Sequence, residues 1–402
     1  METARITQNQ KFLDKGTDYQ STSRIRTLRR LRKTAVKLRV NPKDRIRACG
    51  APANSEVEVI STSMGSKFKG LWSCDQVHKC PCCAAKIQAR RTNEIAEIIG
   101  AKGRWSIYLT LTLEHSRDDN LKNLLKTLSK CWNRLRNGTF GRRSKKYGQI
   151  GFVRTLDLTF SNKSGFHPHY AILLVFDSAP TKEQIQELKK LCFDNWKKAV
   201  AIEARNAVED GFYFDTITNP NDTAAYLAKI NSIAWEVGSN TFKQAANGHL
   251  NQWQILEMAE NSSYFAKIWR DYEVGIKGSR AIHYSKNFKD LLEESEEEDI
   301  PEDNSNVLLK LRSSLYWHIR KIGDADKVLE VCDRSLNGNR DAQLILTGIK
   351  KISSLCPVDE RFLGNEWRKY NPDYESELWK PLHNQLSLFG ATTGPPVASE
   401  GH

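Results

Sequence analysis

Apolar positions repeat with two different periods along the middle of the chain. In WSIYLTLTLEH (105–115), Trp105, Ile107, Leu109, Leu111 and Leu113 fall on one side, and Tyr108, Thr110, Thr112 and Glu114 on the other. That alternation predicts a half-buried strand. GFVRTLDLTF (151–160) and FHPHYAILLVF (166–176) predict two more, joined by SNKSG (161–165), a run of turn residues. LKNLLKTLSKCWNRLR (121–136) carries its leucines at helical spacing and predicts an amphipathic helix. TKEQIQELKKLCFDNWKKAV (181–200) predicts another, capped by Thr181 with Glu183 close behind. FYFDTIT (212–218) reads as a strand, and NDTAAYLAKI (221–230) opens a third helix. The order β-α-β-β-α-β, with a helix after it, predicts an α+β fold: an antiparallel sheet with helices on one face.

Charge divides the rest. The 402 residues hold 61 Lys and Arg against 48 Asp and Glu, a net charge of +13. That balance points to an anionic polymer, with nucleic acid first. The first 50 residues hold 14 basic and 4 acidic residues, centred on RIRTLRRLRKTAVKLR (24–39). Ile25, Leu28, Leu31 and Val36 recur there at roughly helical spacing among arginines that could lie along phosphates, Arg29, Arg30 and Arg32 included. Arg142 and Arg143, in FGRRSKKYG, are further candidates for backbone contact. At 290–303, DLLEESEEEDIPED has nine acidic residues and reads as a solvated linker. Beyond it, Val307, Leu308, Leu311, Leu315 and Ile319, then Val328, Leu329 and Val331, then Leu344, Ile345 and Ile349 predict a small helical domain. The expected division is a basic arm (1–45), a cysteine module (46–100), a mixed domain (101–290), the linker (291–306) and the helical domain with its tail (307–402). No apolar run approaches about 18 residues, so no membrane span is expected. The first residues lack an apolar signal core, so a cytoplasmic protein is expected.

Four cysteines, Cys74, Cys80, Cys82 and Cys83, crowd into CDQVHKCPCC (74–83), and Cys49 precedes them in RACGAP. In a chain with no export signal, this pattern reads as metal binding before disulfides. Cys49, Cys74, Cys80 and Cys83 would satisfy a tetrahedral structural Zn²⁺. Cys82 is then surplus, and His78 could replace one ligand.

His167 and His169 stand two apart in a strand pattern, so both imidazoles leave the same face and could grip a divalent cation. Asp157, on the strand paired through the hairpin, could turn a carboxylate to the same place, and Glu114 and His115 end the neighbouring strand. Asp222, Tyr226 and Lys229 are spaced i, i+4, i+7 and share a helix face. A phenol beside a carboxylate, an ammonium and a metal suits attack on a phosphodiester.

IYLTLTLEH, GFHPHYAILLVF and NDTAAYLAK, in that order, resemble the three motifs of rolling-circle plasmid replication initiators in the HUH endonuclease superfamily. CDQVHKCPCC, AWEVGSNTFKQAANGHLNQWQIL and YEVGIKGSRAIHYSKNFKDLL resemble further segments of that family, so the likeness covers roughly residues 49–292. The resemblance implies an HUH, ferredoxin-like palm. It implies a nicking and closing enzyme in which Tyr226 cuts one strand at the double-strand origin, as single-stranded or hairpin DNA, leaving a 5′-phosphotyrosyl link. Asp222 would activate water or a second attack, Lys229 would steady the phosphate, and His167, His169 and Asp157 would hold Mg²⁺ or Mn²⁺. A host helicase and DNA polymerase are the implied partners. Dimerisation, duplex binding and helicase recruitment are all compatible with residues 307–402. Relatives commonly carry a third histidine where this chain has Ala171, so ligation must use His167 with His169, or His169 with Asp157 or another residue. The competing reading is a zinc-stabilised DNA-binding regulator without catalysis.

Overall fold

The computed structural model of the chain describes residues 17–62, 65–100, 104–209, 211–217, 249–286 and 306–356. The expected third helix, with Asp222, Tyr226 and Lys229, lies outside the described residues, as do most of the acidic linker and the C-terminal tail. In chain order the elements are α1 (Thr17–Leu38), β1 (Glu56–Thr62), β2 (Gly65–Lys69), α2 (Pro81–Gly100), β3 (Trp105–Leu111), α3 (Leu121–Asn137), α4 (Thr139–Lys146), β4 (Gln149–Ser161), β5 (Gly165–Phe176), α5 (Lys182–Ile202) and β6 (Tyr213–Ile217). They continue with β7 (Leu250–Asn251), α6 (Gln252–Met258), α7 (Ser263–Gly275), β8 (Ile282–Tyr284), β9 (Val307–Arg312), α8 (Ser313–Ile322), α9 (Ala325–Leu336) and α10 (Arg340–Leu355). The chain forms two compact units, one of residues 1–47 with 73–304, the other of 48–72 with 305–402. Serial composition does not show this: residues 48–72 group with the C-terminal part of the chain and not with the cysteine-rich run that follows them.

The first unit is built on an antiparallel sheet in the order β6-β3-β5-β4-β7, with β8 also pairing β4. The anticipated β-α-β-β-α-β succession is present. Asn120 caps α3 by accepting from the amides of Lys122 and Asn123, and Thr181 caps α5 in a reciprocal pair with Gln184. Tyr170, Ile172, Leu174 and Phe176 of β5 face Leu124, Leu128 and Trp132 of α3 and Leu188, Cys192 and Trp196 of α5 in one core. Burying each such side chain contributes roughly 1.5–3 kcal/mol.

The opposite face corrects the expectation of helices on one side only. Val153, Ala171, Leu173 and Val175 form a second cluster there, and Ile95 of α2 packs onto it with Ile282 of β8. The strands at the sheet's centre are therefore covered on both faces, which is why Tyr108 is buried although it falls on the side expected to meet water.

The basic segment 24–39 forms most of α1, which packs on its own unit. Leu28, Leu31 and Ala35 are buried, Arg30 pairs with Glu257 and Glu260, and Thr34 donates to Glu260 at 2.8 Å. Lys79, in the cysteine-rich turn, reaches Asp44 at 2.8 Å and Glu273 of α7 at 2.9 Å.

The second unit carries a three-stranded sheet, β2-β1-β9, against α8, α9 and α10. Residues 307–312, expected to open a helix, are a strand paired with β1. Leu309 and Leu311 point inward with a period of two, whereas Val307, Leu308 and Leu311 happen to match helical spacing when read with Leu315. Six residues cannot separate the two periods, and the partner strand β1 decides it.

Candidate active site

The β4–β5 hairpin places Asp157 opposite His169 and Thr159 opposite His167. Both imidazoles and the carboxylate share one face because side chains alternate along each strand. Asp157 Oδ2 lies 3.1 Å from His169 Nε2, and Asp157 Oδ1 accepts the Leu158 amide at 2.8 Å. Burial disfavours charge on Asp157, yet the two imidazoles and that amide hold its carboxyl below the usual range. The second nitrogen of His169, Nδ1, is buried without a hydrogen-bond partner among the described residues.

Two histidines that the motif spacing does not show stand beside this pair. His115, just past β3, brings Nε2 to 3.4 Å from His167 Nδ1, with ring centroids 4.7 Å apart. His249, just before β7, stands 6.3 Å from the His167 ring, and its Nδ1 is also buried and unpartnered among the described residues. Burial first, then the neighbouring His169, His115 and His249, pulls the His167 pKa down to about 4, against the opposing pull of Asp157. A neutral imidazole with a free lone pair is the form that ligates metal. Buried nitrogen donors without partners, next to a carboxylate, thus fit a divalent cation. His167 and His169 would hold it, with Asp157, an expected ligand, engaged instead by His169 and the Leu158 amide, and with the two added histidines nearby. Ala171, on the same face, is fully buried in the apolar cluster and offers no donor.

A second centre is made of sulfur. Cys74, Cys80 and Cys83 are buried in the first unit, with Cys74 Sγ 3.5 Å from Cys83 Sγ, and Cys49 is buried as well. This group could hold a metal such as zinc. Cys80 precedes Pro81 at the start of α2, and Cys83 lies in its first turn, where exposed backbone N–H groups favour thiolates. Cys82 stays outside the group. A hydrogen bond from Cys80, then Arg32 and Arg29, lowers its pKa to about 6 against burial and Cys83. His78 is also outside it, with its backbone carbonyl accepting from Tyr272 at 2.9 Å.

The family model described as "Replication protein", Rep_1, matches residues 66–313. The chain belongs to this family. Among similar proteins, "Protein rep" of Streptomyces lividans is 25% identical over 308 residues, covering 59% of this chain and 68% of that protein. "Protein rep" of Lentilactobacillus hilgardii is 22% identical over 251 residues, covering 59% of this chain and 70% of that protein. A "Neomycin resistance protein" of Streptomyces cyanogenus is 28% identical over 135 residues, covering 26% and 31%. No solved structure matches. Membership in Rep_1 makes the protein a plasmid replication initiator and agrees with the HUH resemblance.

In this Rep_1 member the arginines expected to meet DNA have varied surroundings. Arg30 is engaged by two glutamates, and Arg32 is buried. Arg142 is exposed, with its guanidinium donating to Thr139 at the start of its own helix and to the carbonyl of Asn137 at the end of α3. Arg143 pairs with Glu187 at 3.3 Å. Both sit on α4, whose Phe140 packs into the core on the side of the sheet opposite the histidines. No helix of the described residues is long and apolar enough to cross a membrane.

Proposed function

We propose that this Rep_1 protein starts rolling-circle replication by nicking and rejoining one strand of plasmid origin DNA. The observation that carries this reading is the group of His115, His167, His169, His249 and Asp157 at one hairpin of an antiparallel sheet, in a chain of this family. The segment bearing Tyr226 leaves the same sheet at β6 and returns to it at His249, beside His167. Its ends are thus tied to the unit that carries the imidazoles.

Tyr226 gives up its phenolic proton to Asp222, and its oxygen attacks phosphorus. The new O–P bond forms as the bond to the 3′ oxygen breaks, and that oxygen takes a proton to become the 3′-OH that primes synthesis. Lys229 neutralises the phosphate. His167 and His169 would hold Mg²⁺ or Mn²⁺, which would supply positive charge to offset that developing on the phosphoryl oxygens. Asp157 holds His169 through Nε2, which leaves Nδ1 as the nitrogen that would serve as a ligand. Return of the 3′-OH to the phosphotyrosine reverses the same bonds and rejoins the strand. The four thiolates would bind Zn²⁺ structurally, and Arg29 and Arg142 would add sequence-independent attraction to the phosphates.

The test is incubation of the whole protein with a single-stranded origin oligonucleotide and Mn²⁺, followed by denaturing electrophoresis. A covalent protein–DNA adduct is expected, absent from Tyr226→Phe although that variant still binds the oligonucleotide. Adduct persisting in Tyr226→Phe overturns the nucleophile. Sound binding with no adduct in the native protein favours the non-catalytic regulator.

A further inference from the structure

We infer that His115 supplies the third imidazole of the divalent-cation site, standing in for the donor that Ala171 lacks. The inference rests on the metal-dependent cleavage proposed above.

Ala171 is fully buried among Val153, Leu173 and Val175, so its strand position contributes a methyl group and nothing else. The missing nitrogen is offered from the adjacent strand's exit. His115 Nε2 faces His167 Nδ1 at 3.4 Å. That separation is long for an N–H···N bond and close to the ~3 Å between neighbouring ligands of an octahedral ion with bonds of ~2.1 Å. The other ring nitrogen of His115, Nδ1, lies 3.4 Å from the Leu113 carbonyl, which leaves Nε2 for the site. On the far side of His167, His169 commits Nε2 to Asp157 and keeps Nδ1 buried and unpartnered. Asp157 therefore reads best as the group that orients His169.

The loop bearing His115 is fixed at several points. Trp196 donates to the Thr112 carbonyl at 2.7 Å, and the Glu114 amide donates to Asn206 at 2.9 Å. Arg205 donates to the Glu114 carbonyl at 3.0 Å and also pairs with Asp119. At the hairpin turn, a Cβ on Gly165 would stand 3.0 Å from the backbone of Arg117, and Gly165 has φ +75°, so only glycine lets the turn close on this loop. These contacts hold His115 against His167.

The experiment is Mn²⁺ titration of the full chain with its zinc retained, read by the EPR signal of free Mn²⁺ and by ¹⁴N couplings in pulsed EPR. His115→Ala should bind Mn²⁺ at least about tenfold more weakly and lose one nitrogen coupling. His115→Asp should recover most of the affinity while still lacking that coupling, and it covers the case in which the alanine variant folds poorly. Unchanged affinity and couplings in both variants overturn the assignment. So does a loss confined to His249→Ala, which would make His249 the third ligand. If His167→Ala and His169→Ala weaken binding but His115 variants do not, only this inference falls. If none of them alters binding, the metal-dependent reading falls with it.

Discussion

Asp157 and His169 meet at 3.1 Å across the hairpin register, so the carboxylate and the imidazole act as one unit. In the proposed metal site the carboxylate would fix which nitrogen of His169 carries the proton and strengthen the other as a ligand. Asp157→Asn keeps the shape and removes the charge. It should weaken Mn²⁺ binding by roughly 10–100-fold, measured calorimetrically, with the circular dichroism spectrum unchanged.

The thiol group separates two neighbouring cysteines. Cys80→Ser should lose bound zinc and unfold at lower temperature, because a structural metal site contributes directly to folding. Cys82→Ser should retain the full zinc stoichiometry, since Cys82 is outside the group. Metal analysis of both purified variants checks this, and strong chelation of the native protein should reproduce the Cys80→Ser melting curve.

Lys79 is the hub of a largely buried triad with Asp44 and Glu273. Burial opposes charge on Lys79, but its two carboxylate partners raise its pKa overall. For Asp44, burial is likewise outweighed by Lys79, the Ile46 amide and Gln76, and its pKa falls. The depressed Asp44 value contributes stability above its ordinary pKa of 3.8, lost as pH falls through the folded value. The raised Lys79 value contributes below 10.5 and is lost as pH rises through the folded value. Lys79→Met should cost about 3–5 kcal/mol at neutral pH, by leaving two buried carboxylates uncompensated. Denaturant titrations at pH 7 and pH 3 should show that cost shrinking in acid.

Arg30 should matter to the fold more than to DNA. Its guanidinium is taken by Glu257 and Glu260, so Arg30→Ala should lower the melting temperature. The slope of log affinity against log salt should hardly move. An arginine that neutralises one phosphate would change that slope by about 0.7–0.9. Fluorescence anisotropy over a salt series distinguishes the two.

Much of the first unit was legible from local pattern. The strands at 149–161 and 165–176 and the helices at 121–137 and 182–202 follow from periodicity and caps, because each is long enough to show its period. The burial of the sheet on both faces was not legible. Nothing in WSIYLTLTLEH announces that Ile95 will come to rest over Tyr108 and Ala171. The paired His167 and His169 are visible because a two-residue spacing in a strand implies one face. His115 and His249 are not, because each is a lone histidine whose neighbour is set by strand order and not by sequence distance.

By itself, the sequence determined the local elements, the shared face of His167 and His169, and the thiols able to take up a metal, since all of these depend on spacing along the backbone or on side-chain chemistry. Tertiary structure alone decided that residues 307–312 pair as a strand with β1, that Arg30 spends its charge on two glutamates, and that four imidazoles meet at one hairpin. Each of those depends on which distant segment supplies the partner. Pairing and burial are properties of the closed chain, and no window of neighbouring residues contains them.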